Sequence, residues 1–72
     1  MARAIYLVLQ SQQRWWVDFE GKTFGPFTSR DLALREASSM ARFTSESGRH
    51  AQVRASGEGG RMQIEWDSKA PR

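Results

Sequence analysis

One stretch of this chain repeats its apolar residues at helical spacing, and the stripe it makes is mostly alanine. From about Ser29 to about Ser45, Ala33, Leu34, Ala37, Met40, Ala41 and Thr44 fall on one side of a helical wheel. Arg35, Ser38, Ser39, Arg42 and Glu46 fall opposite. An alanine-faced helix can lie close to a surface, but it cannot build a core alone. Other segments must supply the large side chains. At 72 residues the chain holds one domain and buries only about 60% of the surface its unfolded form exposes. Thr28 meets Asp31 at capping-box spacing, and Phe27 and Leu32 fit a hydrophobic staple. Gly48 is placed to stop the helix.

The remaining segments read as strands. Residues 4–10 are rich in β-branched and large apolar types, with Ile5, Leu7 and Leu9 on one face and Tyr6 and Val8 on the other. Ser11, Gln12 and Gln13 read as a turn. Residues 14–20 alternate cleanly: Trp15, Val17 and Phe19 against Trp16, Asp18 and Glu20. Gly21-Lys22 reverses the chain, and residues 23–27 form at most a short edge strand, because Pro26 cannot donate to a ladder. After the helix, His50–Ala55 reads as a strand with Ala51, Val53 and Ala55 inward. Gly57-Glu58-Gly59-Gly60 is a hairpin loop, and Arg61–Trp66 places Met62, Ile64 and Trp66 on one face. The expected fold is α+β: an antiparallel sheet of four or five strands, ordered β-β-(β)-α-β-β, with one helix on one face. Trp15, Phe19 and Trp66 are expected to form the bed of the helix. Residues 4–67 form the expected core, with a flexible tail over 68–72.

Composition narrows the function more by exclusion than by assignment. The chain has no cysteine, so disulfides and thiolate metal sites are ruled out. It has one histidine, His50. The longest apolar run, Ala4–Leu9, is far too short to span a bilayer, and no signal-peptide core follows Met1. A cytoplasmic domain without a cofactor is expected. Asp18, Glu20 and Glu65 could gather for a hard cation or for acid–base work, but they read as a solvated strand face. The Gly57–Gly60 run lacks the Lys-Ser/Thr ending of a phosphate loop. None of the serines near the helix sits in a G-x-S-x-G elbow. An enzyme is therefore not expected.

Two binding readings remain. The formal charge of +3 invites nucleic acid, with Arg14, Lys22, Arg49, Arg54 and Arg61 as the contacts. Sorted by element, however, the positive excess lies in turns and ends, and the aromatic candidates of the open face sit among carboxylates. The other reading is a protein partner or a homodimer. It uses the open sheet face around Tyr6, Val8 and Trp16, or the helix flank at Leu32 and Phe43. Trp16 either presents a binding ring to solvent or shelters with Tyr6 and Val8 in a cross-strand cluster.

The segments Trp15-Trp16-Val17, Gly21-Lys22, Gly25-Pro26-Phe27-Thr28 and Ala33…Ala37…Ala41 resemble a group of small bacterial domains of unknown function over roughly residues 5–67. Those domains share a W-x-V strand, a glycine turn, a Thr-capped alanine-rich helix and a final hairpin. The resemblance implies a β-β-α-β-β fold and no activity. Trp15…Val17, Gly21-Lys22, Phe27-Thr28 and Ala33/Ala37 are also similar to the arm-type DNA-binding domain of phage integrases. That likeness implies that Arg14, Trp16, Lys22 and Thr23 face DNA; Asp18, Glu20 and the extra C-terminal hairpin depart from it. Trp15-Trp16-Val17…Gly21…Gly25-Pro26-Phe27 resembles the opening of GYF-like peptide-binding domains, although the long helix and final hairpin do not suit that family.

Overall fold

The computed structural model describes residues 3–69. Five strands and one helix follow in the order β1 (Ala4–Ser11), β2 (Arg14–Phe19), β3 (Lys22–Phe27), α1 (Arg30–Glu46), β4 (Ala51–Ser56) and β5 (Met62–Asp67), with a single 3-10 turn at Glu58–Gly60. This is the expected α+β architecture, with the optional third strand present at the sheet edge. The spatial order is β3-β2-β1-β4-β5. One pairing departs from the antiparallel expectation: β1 and β4, the two inner strands, run parallel. The helix is the reason. It carries the chain back across the sheet, so β4 starts at the same end as β1.

The turn between β1 and β2 decides which side chains face the helix. Gln12 and Gln13 both have positive φ, at 55° and 65°, and Ser11 pairs directly with Arg14. The hairpin loop therefore has two residues, as the twist of the flanking strands favours, and not the three expected from Ser11-Gln12-Gln13. A one-residue change of register turns every side chain of a strand over. Val8 is thus paired with Val17 and Leu9 with Trp16. Tyr6 and Val8 lie under the helix at 3% and 0% exposure, and the expectation that they flank Trp16 on the open face is corrected. Ile5, Leu7 and Leu9 take that place.

Helix and sheet meet through small residues. Ala33, Ala37 and Ala41 are fully buried, and so are Ala4, Ala51 and Ala55 on the sheet. Val8, Val17 and Val53 are the largest side chains wholly enclosed. Trp15, Phe19 and Trp66, expected as the floor, are only partly buried and pack against this cluster together with Phe27, Leu34 and Met40. The rings are a flanking wall, because the alanines bring the helix too close to leave room beneath its centre.

Both helix ends are closed locally. The N-cap is Ser29, whose Oγ accepts from Leu32 N at 3.1 Å, one residue later than the Thr28 cap expected from the sequence. Asp31 then sits in the first turn, where a carboxylate suits the helix dipole. At the other end Gly48 has φ of 96°, its N–H reaches Ser45 O, and Arg49 N–H reaches Thr44 O. These two bonds form a Schellman motif, and Gly48 supplies the left-handed residue it needs.

Two irregularities shape the sheet edges. Between β2 and β3 the register shifts, so that Gly25 and Pro26 stand opposite Trp16. A side chain on Gly25 would meet Trp15 O at 3.0 Å and the Trp16 ring at 3.2 Å, which is why glycine occupies the site. Between β4 and β5 a bulge leaves Val53 opposite Trp66 but Arg54 opposite Ile64. The single face expected for Met62, Ile64 and Trp66 is thereby divided. Trp66 packs with the core, while Met62 and Ile64 are 44% and 55% exposed. Beyond β5, Ser68 N–H donates to Ala51 O, and Ser68 Oγ accepts from Ala51 N. The rest of the expected tail, residues 70–72, lies outside the described residues.

The close helix seat makes a prediction. Ala37→Leu should lower stability by about 2 kcal/mol in urea unfolding, because overpacking a filled core costs about 1–3 kcal/mol. Phe43→Ala, at a ring that is 74% exposed, should change it by less than about 0.5 kcal/mol. Equal effects would contradict the packing described.

Candidate binding face

The helix covers one side of the sheet. On the other side Ile5, Leu7 and Leu9 form a half-buried apolar row along β1. Trp16 stands beside Leu9 on β2, and Met62 and Ile64 are exposed on β5, beyond Arg54 and Ser56 of β4. The Trp16 ring lies against Gly25 at the edge, and its Nε1 donates to Ser11 O at 3.1 Å. A shallow hollow opens beside it between Leu9, Ser11, Asp18 and Thr23. Trp16 is therefore on the uncovered face, with its neighbours drawn from β1's other side.

Polar groups on this face are arranged by strand. Asp18 neighbours Leu7 on β2, and Thr23 Oγ1 donates to its Oδ1 at 2.8 Å. Arg54 neighbours Leu7 on β4 and donates from Nε and Nη2 to Gln52 Oε1 at 3.2 and 2.9 Å. Gln52 is 3% exposed, and its Nε2 donates to Asp67 Oδ2 at 2.6 Å. His50 Nε2 and Asp67 Oδ1 lie 2.6 Å apart. One bonded line thus runs from Arg54 through Gln52 to Asp67 and His50. Lys69 N–H also donates to Asp67 Oδ1.

Leu32 and Phe43 are both exposed, at 44% and 74%. They stand about 16 Å apart along the axis but on the same side of α1, and both line one open groove there with Arg35, Ser38 and Arg42. Phe43 also borders a groove with Phe19, Phe24 and Met40, whose lining includes Tyr6 and Thr44. That end of the molecule is held firmly. The Tyr6 and Phe19 rings stack at 4.1 Å, and the Tyr6 hydroxyl bonds Thr44 Oγ1 at 2.7 Å. Arg49 lies over Phe19 at 6.0 Å and pairs with Glu20 at 2.7 Å.

The five cations of the nucleic-acid reading are dispersed. Arg14 and Arg61 lie at the sheet end where β1 finishes, Lys22 and Arg49 at the opposite end, and Arg54 between them. A six-residue strand separates the ends by about 20 Å. Nor do the carboxylates gather. Asp18 is bonded to Thr23, Glu20 to Arg49, and Glu65 is paired with Arg30 at 3.4 Å. Among the described residues no helix is long and apolar enough to cross a membrane. Comparison of the chain with known protein families, with curated proteins and with solved structures gave no match in any of the three.

What the sequence did not mark was the apolar row of β1 as surface. Ile5, Leu7 and Leu9 are as apolar as Tyr6 and Val8 on the other face of the strand, so composition alone does not choose which side is core. The signal that places them outside is the paired Gln12-Gln13 turn.

The Asp67 network carries a pH prediction. Its carboxyl is held at about 2, below its ordinary 3.8, first by the Lys69 N–H, then by Gln52 and His50. A carboxyl lowered on folding stabilises the fold above its unfolded value, and that support is lost as pH falls from about 4 through about 2. Carbon NMR of the Asp67 carboxyl should give a midpoint near 2, and Asp67→Asn should flatten the acid limb in that window. A midpoint near 3.8 would contradict the network.

Proposed function

We propose that this protein is a non-enzymatic interaction module and that the helix-free face of the sheet is its binding surface. The observation that supports this reading is the composition of that face. Ile5, Leu7, Leu9, Trp16, Met62 and Ile64 lie on a side that no element of the described chain covers. The row of Ile5, Leu7 and Leu9 adjoins Trp16 on one side, and Met62 and Ile64 lie beyond the polar residues of β4 on the other. Apolar surface left uncovered in this way marks a contact site more often than it serves the fold. A tryptophan within it, held by a hydrogen bond and a glycine seat, is a suitable anchor. The core lies on the other side, so the row on β1 is available for a partner without disturbing the helix. The dispersed cations give less support to a nucleic-acid surface, which gains from basic groups placed together.

A face kept for binding can be made polar without unfolding the chain. Met62→Lys and Ile64→Lys should each change stability by less than about 0.5 kcal/mol in urea unfolding at low protein concentration. A loss above about 2 kcal/mol from either would assign the face to folding and overturn the reading.

A further inference from the structure

The open face carries two charges that are paired with no opposite charge among the described residues. Among the described residues Asp18 is bonded only to the Thr23 hydroxyl, and the Arg54 guanidinium only to the Gln52 carbonyl oxygen. Both groups are half-buried, where a charge gains most from a counter-charge. Their positions are related. Leu7 is the register partner of Asp18 on one side and of Arg54 on the other. The three therefore form one row across the sheet, with the charges about 5 Å to either side of the leucine.

That row is self-complementary. Rotating a second copy by half a turn about an axis along β1, and laying it face to face, puts Leu7 on Leu7. It sets Arg54 over the partner's Asp18 and Asp18 over the partner's Arg54. The same rotation brings Trp16 towards the partner side of Ser56 and Met62, which pair with each other at the row of Leu9. A thioether against an indole is a favourable contact. Sheets packed this way stand about 10 Å apart, a gap that an arginine and an aspartate can bridge. The face measures about 24 by 20 Å from strand spacing and rise, so a pair of copies would bury about 1,000 Å² in all, the size of a weak, reversible contact.

We infer that the partner of the open face is a second copy of this chain, joined as a face-to-face twofold dimer in which Arg54 of each copy pairs with Asp18 of the other. This rests on the open-face reading above and adds the occupant and the register. A heterologous protein has no reason to find its own charges in the mirrored row, whereas a twofold interface requires this self-complementarity.

The test uses charge reversal and mixing, read by sedimentation velocity, with circular dichroism to confirm folding. The wild-type chain should dimerise reversibly. Asp18→Arg and Arg54→Asp should each weaken the homodimer at least about tenfold, because each brings like charges together. The double variant should recover it. An equimolar mixture of the two single variants should form a heterodimer, since opposite charges then meet at both places, one pair as in the wild type and the other with its signs exchanged. A dimer that ignores the reversals, or a mixture that stays monomeric, overturns the register. A wild-type chain that remains monomeric at high concentration overturns the second copy as partner. Neither result moves the stability measurements on Met62 and Ile64, which judge the face reading separately.

Discussion

The seat of α1 on the sheet governs the rest of the structure. Ala33, Ala37 and Ala41 meet Ala4, Ala51 and Ala55 with no exposed surface on any of them. Small side chains let the two layers approach closely, and close layers gain dispersion contacts that larger, looser ones do not. The consequence is geometric. Tyr6 reaches under the C-terminal part of the helix, where its hydroxyl bonds Thr44, while Trp15, Phe19 and Trp66 stand around the seat only partly buried. They close the sides of a core whose largest wholly enclosed residues are valines.

A chain with one helix can cover one side of its sheet. This leaves the other side to be either polar or occupied. Here it is mixed in an ordered way. β4 carries the bonded line from Arg54 to Asp67, while β1 carries Ile5, Leu7 and Leu9. The polar line satisfies the one buried amide, Gln52. The apolar row has no such internal explanation. Its place beside Trp16, between two charges of opposite sign, is what an interface would need.

Much of the fold was legible in the residues, and the losses have identifiable causes. Strand alternation in β2, the alanine stripe and the Gly48 stop follow from period and from backbone preference, and each is where the sequence puts it. Strand direction is not encoded in period, so the parallel pairing of β1 with β4 was not visible. Both faces of β1 are apolar, so alternation could not choose between them. The choice fell to one residue of turn length at Gln12-Gln13, and it moved Tyr6 and Val8 from surface to core. On β5, the bulge opposite Val53 and Arg54 separated Ile64 from Trp66, a break that an unbroken alternating pattern conceals. That Trp16 lies on the opposite side of β2 from Trp15 and Val17 was legible; whether its ring is covered, and by which neighbours, was not.

The central claim is that the β1 face is open in the single chain and closes on association. Methyl NMR with a soluble paramagnetic agent reads this directly at Leu7 and Ile64. Both methyl sets should broaden strongly in dilute protein and become protected as concentration rises, while the buried Val8 and Val53 methyls stay protected throughout. Leu7 and Ile64 methyls already protected in dilute protein, or equally broadened at every concentration, would contradict it.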